Sequence, residues 1–282
     1  MHHANVVGVD GSESAVTAVR WAANDAALHR APLRLLSVGP EALPDAARAA
    51  DEVNRQRWLD SATRLATEVA PEVQVRSELR RGDPRSVLVE ESEQARRVIV
   101  GIRGLAERTG LPVGSIADAV AMHAACPVAV VRGRVPEAAA RSPVLVGVDG
   151  SRVGECAVAA AFEEASVRRV PLVAVHVWTD VAIEPWFPVD DREWEEIDET
   201  ERAVLAERLA GWQEKYPDVE VRRVVERDRP VRYLIEHAEN AQLIVVGSRG
   251  RGGMTGMLLG STSRALLYMA PCPVLIARSP RA

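Results

Sequence analysis

One strand-and-turn sequence occurs twice in this chain. Val7-Gly8-Val9-Asp10-Gly11-Ser12 returns as Val146-Gly147-Val148-Asp149-Gly150-Ser151, and Asp10 and Asp149 are 139 positions apart. A longer pattern also recurs. Gly-x2-Gly-x9-Gly-Ser is spelled by Gly101, Gly104, Gly114 and Ser115, and again by Gly247, Gly250, Gly260 and Ser261, 146 positions later. Each copy follows an apolar run, Val98-Ile99-Val100 or Leu243-Ile244-Val245-Val246. Later markers keep register: Pro84 with Pro230, Cys126 with Cys272, Pro127 with Pro273. A chain of 282 residues with such a period is a tandem pair of domains. The period is too long for a solenoid. The first domain spans residues 1–132, a linker with two prolines spans 133–143, and the second domain spans 144–282. The seven extra residues of the second copy fall around Thr179 to Asp198.

Within the first copy, apolar strands alternate with helical stretches. Strands are expected at Val6–Val9, Leu33–Val38 and Val73–Leu79, with Gly39-Pro40 breaking the second. Two more are expected at Val98–Val100 and Pro127–Val131. Helices are expected from about Ser14 to His29 behind Ser12 as N-cap, over about 44–69, from Pro84 to about Gln94, and from Ser115 to Ala124. This order calls for an α/β fold: two tandem doubly wound domains, each a five-stranded parallel sheet with helices on both faces. A ligand then sits beyond the carboxyl ends of the strands, where the winding reverses. Asp10 and the Gly101 loop flank that crevice in one copy, Asp149 and the Gly247 loop in the other.

The glycine loops suit an anion. Glycines keep the backbone free of Cβ atoms and let it approach a ligand. A helix beginning at Gly260-Ser261 presents free N–H groups and the positive end of its dipole. Ser261, Thr262 and Ser263 add hydroxyls there, and Arg249 and Arg251 add charge. No Gly-x4-Gly-Lys-Ser/Thr occurs, so this is not a P-loop nucleotidase. No Gly-x-Gly-x-x-Gly follows a strand, which speaks against a dinucleotide dehydrogenase. A net charge of −5 argues against a nucleic-acid binder. No apolar run approaches the ~20 residues of a membrane span, and the first apolar run ends in Asp10 rather than at a signal-peptide cleavage site. These features lead us to expect a cytoplasmic protein with neither a membrane nor a nucleic-acid partner.

On these motifs the chain resembles the universal stress protein family in its tandem, ATP-binding form, over essentially its whole length. The resemblance implies a regulatory, nucleotide-dependent switch in stress response. The partners implied are an adenine nucleotide, ATP with Mg2+ or Mn2+ riding on its phosphates, and a regulatory protein of unknown identity. It also implies pairing of the two domains within the molecule through their last strands, and further dimerisation of chains. Carried over by position, Asp10 and Asp149 meet the adenine, Gly8 and Gly147 let the nucleotide approach, and Val38 and Val177 line the base pocket. Gly101, Gly104, Gly114 and Ser115 hold ribose and phosphates in one half. Gly247, Gly250, Gly260, Ser261 and Ser263 do so in the other. The alternatives are a slow ATPase or nucleotidyl-transferring enzyme, or a scaffold binding cyclic AMP or AMP. No catalytic residue and no metal-ligand spacing is identified.

The halves are unequal. Gly252, Gly253, Thr262 and Ser263 correspond to Ala106, Glu107, Ile116 and Ala117, so nucleotide is expected more securely in the second half. Other readings of the same residues stand beside these. Asp10 and Asp149 suit helix starts, and Ser115 and Ser261 suit N-caps. Cys126 and Cys272 read as small buried residues. His176 reads as a structural histidine with no carboxylate arranged around it, and the acidic run Asp190–Glu201 as a solvated helix face. Trp178, Trp186 and Trp194 read as cover for the domain or an interface.

Overall fold

The computed structural model describes residues 3–105, 113–132, 141–151, 154–178, 191–227, 229–250 and 258–278, with the side chains of 191–194 excepted. Arg251 to Gly256, Ala106 to Thr109, Trp186, the Trp194 side chain and most of the expected linker therefore lie outside the described residues. The chain divides into two compact units, one of residues 1–135 with 278–282 and one of residues 136–277.

The first unit runs β1 (Asn5–Gly8), α1 (Glu13–His29), β2 (Leu33–Gly39), α2 (Asp45–Val69), β3 (Val75–Arg81), α3 (Pro84–Glu91), β4 (Arg97–Gly101), α4 (Ser115–His123) and β5 (Val128–Val131). Every strand pair is parallel, in the order β3-β2-β1-β4-β5. Winding reverses between β1 and β4, as a doubly wound domain requires. The inner strands are nearly continuous Val/Ile/Leu because helices cover both of their faces. The edge strand β3, Val-Arg-Ser-Glu-Leu-Arg-Arg, is half-buried to exposed throughout and mostly charged.

The second unit repeats the plan. It comprises β6 (Val144–Gly147), α5 (Glu155–Arg168), β7 (Leu172–Trp178), α6 (Asp191–Leu209), a short α7 (Trp212–Lys215), β8 (Val221–Arg227), α8 (Pro230–Ala238), β9 (Leu243–Gly247), α9 (Ser261–Met269) and β10 (Val274–Ala277). Its parallel order is β8-β7-β6-β9-β10. The two units share backbone details as well as strands. Gly11 and Gly150 both sit at positive φ, 82° and 74°, in the turn after the first strand. Arg30 and Arg169 both close the following helix in the left-handed region, φ 50° and 54°.

Several expected boundaries move, each for a local reason. β3 begins at Val75 rather than Val73, because the Val73 N–H donates to Ala70 in the turn that ends α2. It runs on to Arg81 because β2 continues to Gly39, which is the last residue of the strand rather than its breaker. α3 stops at Glu91, and the Ser92 N–H turns back onto Leu88 and Val89. β5 begins at Val128, since Pro127 contributes only its carbonyl, to the Val98 N–H at 3.1 Å. Ser12 is the N-cap of α1, accepting from Ala15 N–H at 3.1 Å. In the second unit the same bond runs from Gly154 N–H to Ser151 Oγ, also 3.1 Å, but the helix starts later, at Glu155.

A buried ion pair lies in the first core. Asp25, fully buried, accepts from Arg97 Nη1 at 2.8 Å and from Asn5 Nδ2 at 2.9 Å. In the second, Phe162 is fully buried and stacks on Trp212 and Tyr216, with centroids 6.3 and 5.9 Å away.

Candidate functional site

Each unit has a crevice at the carboxyl ends of its strands, at the point of reversal. In the first unit Gly8, Asp10, Val38, Gly101, Gly104, Gly114 and Ser115 all line it. In the second unit Gly147, Asp149, Val177, Gly247, Arg249, Gly250, Gly260, Ser261, Thr262 and Ser263 line it. Every sequence-predicted site residue that is described reaches a crevice; Arg251 is outside the described residues.

The aspartates organise these sites. Asp10 Oδ1 accepts from the N–H and the hydroxyl of Ser12, at 3.0 and 2.6 Å. Its Oδ2 accepts from Leu105 N–H at 2.7 Å, on the loop after β4. The carboxylate therefore ties the two loops of the crevice together. Asp149 Oδ1 accepts in the same way from Ser151 N–H and Oγ, at 3.0 and 2.7 Å. This explains the second glycine of each loop pattern. A Cβ on Gly104 would lie 2.7 Å from Asp10 Oδ2, and one on Gly250 would lie 2.5 Å from Asp149 Oδ2. Those glycines answer first to the carboxylate behind them. Gly260 has room, with its nearest neighbour atoms 3.7 Å from a Cβ.

The anion end is a helix start without a side-chain cap. Gly114 and Gly260 are the N-caps of α4 and α9 and supply no capping oxygen. Ser115 and Ser261 are the first helical residues, so the expectation that they act as N-caps is corrected. Each loop is closed by a backbone bond, Gly114 N–H to Ile102 at 2.7 Å and Gly260 N–H to Ser248 at 2.8 Å. The first N–H groups of such a helix have no partner within it. Ser263 differs from expectation. It is buried, and its hydroxyl donates to the Gly247 carbonyl at 2.6 Å, so its proton ties α9 to β9 rather than facing an anion. Ala117 makes no such tie in the first unit.

The crevices differ in size. The second measures about 530 Å³ and the first about 140 Å³. Small-molecule sites run to roughly 300–1,000 Å³, so only the second has the volume of a nucleotide site. Their linings differ as well, with Ile116 and Ala117 in the first in place of Thr262 and Ser263 in the second.

The far ends, over β2 and β7, diverge most. In the first unit Arg55 Nε donates to both oxygens of Asp51 at 2.9 Å, Arg81 Nη1 donates to Asp51 at 2.8 Å, and Arg81 Nη2 donates to Glu52 at 2.6 Å. Burial pushes the Asp51 carboxyl up, but the hydrogen bonds and charges of Arg55 and Arg81 more than offset it, holding it below the usual carboxylate range. These groups pack over Gly39, where a Cβ would meet them at 2.7–2.8 Å. Trp58 likewise covers Gly11, its ring 2.5 Å from where a Cβ would stand. In the second unit Trp178 replaces Gly39, and Ile197 and Glu201 of α6 line the cavity.

His176 corrects another expectation, because a carboxylate does reach it. The buried imidazole lies 2.6 Å through Nδ1 from the Val148 carbonyl and 2.6 Å through Nε2 from Glu201 Oε2. A carbonyl only accepts, so Nδ1 carries a hydrogen. The acidic run is solvated along most of its described length, as read, but Glu201 turns inward. Sequence reasoning also missed Pro230 and Leu234 of α8, which line the second cavity, and Pro84 and Leu88, which line the first. The matched prolines, which kept register across the repeat, were the available signal.

Comparison with known proteins agrees with this architecture. The model of the universal stress protein family matches twice, over residues 1–132 and 141–278. A universal stress protein of Mycolicibacterium smegmatis is 44% identical over 97% of this chain and 96% of its own. One of Mycobacterium tuberculosis is 41% identical over 97% and 95%. The crystal structure of a universal stress protein from Archaeoglobus fulgidus superposes with a TM-score of 0.72 at 21% identity, covering 98% of both chains, which supports the fold. With two family matches spanning both halves and relatives this similar end to end, the chain belongs to the universal stress protein family.

Proposed function

We propose that this protein binds ATP in the second unit's crevice and acts as a nucleotide-dependent regulator in stress response. The observation that carries the reading is the crevice itself. A cavity of about 530 Å³ joins a carboxylate at the end of β6 to an uncapped helix start at Gly260. Phosphates meet the first N–H groups of α9, with Ser261, Thr262 and Arg249 around them, and Mg2+ or Mn2+ arrives on the phosphates. The base lies toward Val177 and Asp149. Gly147, Gly247 and Gly250 shape the wall, and Arg251 extends the loop charge.

The first crevice, with Gly8, Asp10, Val38, Gly101, Gly104, Gly114 and Ser115, is the weaker site. The boundaries of the two domains, pairing of their last strands, dimerisation of chains and a regulatory protein partner complete the proposal.

The test is nucleotide content and affinity. Mass spectrometry of the denatured protein should find adenine nucleotide, and calorimetry on the emptied protein should show ATP binding that Asp149→Ala abolishes. Tighter binding of AMP or cyclic AMP than of ATP would replace the ligand. No binding of any adenine nucleotide would sink the reading.

A further inference from the structure

The second unit brings to its crevice a carboxylate that the first unit lacks. By the offsets of the repeat, His176 occupies the position of Ser37 and Glu201 that of Arg55. In the first unit this pair is an arginine facing a serine, Arg55 Nη1 to Ser37 Oγ at 3.4 Å. In the second unit it is a buried imidazole holding a glutamate at 2.6 Å. The exchange puts an acceptor where the first unit has an arginine. Glu201 lines the same cavity as Asp149 and the start of α9.

Its place in the sheet is informative. α9 follows β9, His176 lies on β7, and β6 stands between them. Two strand spacings, roughly 10 Å, separate the anion end from the strand that carries Glu201's partner. A nucleotide with its phosphates on α9 therefore points its base toward Glu201.

We propose that Glu201, oriented by His176, is a specificity-determining residue that accepts a hydrogen bond from an exocyclic amino group of the bound purine. This rests on the nucleotide reading above and goes beyond it by naming what distinguishes one purine from another. An ionised carboxylate only accepts, so as an ion pair the contact needs a hydrogen on Nε2 as well as on Nδ1 of His176, the doubly protonated ring, and each carboxylate oxygen can accept about two bonds. Carboxylates accept from base amines. An oxo group at the same ring position turns an oxygen toward the carboxylate and leaves that carboxylate unmatched. Bonds to a charged group of this kind correspond to a preference of roughly ten- to hundredfold. His176 is a positioning residue: with Nδ1 committed to the Val148 carbonyl, its ring is fixed and so is the carboxylate it holds.

The experiment is calorimetric titration of the full chain with ATP and with inosine triphosphate, read at the tighter site. The unsubstituted protein should prefer ATP by roughly ten- to hundredfold. Glu201→Leu should weaken ATP alone and bring the ratio near unity. Glu201→Gln keeps an acceptor oxygen and should keep part of the preference. His176→Phe should reduce the ratio without weakening inosine triphosphate. Circular dichroism checks that each variant is folded, and Glu201→Gln serves if Glu201→Leu is not. Equal weakening of both ligands, or an unchanged ratio in the Glu201 variants, overturns this proposal while the nucleotide reading stands. No preference in the unsubstituted protein does the same. Failure of both ligands to bind overturns the nucleotide reading itself.

Discussion

At the scale of single residues, the two aspartates show how a binding motif can also be a structural clasp. Asp10 already accepts three hydrogen bonds from two loops, so loop geometry and ligand geometry are coupled. The glycines opposite separate the two roles. Gly250→Ala drives a methyl to 2.5 Å from Asp149 Oδ2, and overpacking of this kind costs about 1–3 kcal/mol. Thermal unfolding should show that loss even without nucleotide. Gly260→Ala meets nothing closer than 3.7 Å, so it should cost under about 1 kcal/mol as an N-cap change while weakening ATP in calorimetry.

Cys126 offers a second residue-scale check. Burial pushes its thiol up from 9.0 to about 11. Between those values the unfolded chain releases a proton that the folded chain retains. The contribution to stability is therefore complete below about pH 9 and is lost as pH rises through about 11. Native protein at pH 8 should resist alkylation at Cys126, and denatured protein should not.

Elements carry the next set of consequences. α1 and β4 are joined by the Asp25–Arg97 pair inside the first core. Arg97→Ala removes the guanidinium from a fully buried carboxylate, and breaking such a pair costs about 3–5 kcal/mol. Denaturant titration should show a loss of unfolding free energy of that size, read as a lower midpoint at unchanged slope. α2, β2 and β3 are linked by the Arg55–Asp51–Arg81 cluster. Because the Asp51 carboxyl is held below its ordinary 3.8, its contribution is present above that value and is lost as pH falls through the lower, folded one. Asp51→Asn should remove part of the acid dependence of the melting temperature below about pH 4.

The inner strands were legible from sequence because they are buried on both faces and read as unbroken apolar runs. β3 was found but placed two residues early at each end, because an edge strand takes its limits from the neighbour it pairs with. Glu201 was hidden for a related reason. It is one acid in a long acidic run, and only the packing of α6 against β7 decides which of them faces inward.

For the whole molecule, duplication produced two crevices of one design and unequal capacity. A cavity of about 140 Å³ beside one of about 530 Å³ predicts one tight nucleotide per chain. Native mass spectrometry should show a single occupancy dominating at low ATP, lost on Asp149→Ala and kept on Asp10→Ala. Equal filling of two sites would contradict this.

The amino-acid sequence by itself determined the doubling, the alternation of strands and helices, and the motif residues around each crevice. Those rest on local backbone preference, on apolar periodicity and on a spacing that repeats. Tertiary structure alone decided which crevice is roomy, that Ser263 spends its proton on Gly247, and that His176 meets Glu201. Those outcomes depend on contacts between residues far apart in the chain, where side-chain volume and donor geometry, rather than residue type, select the partner.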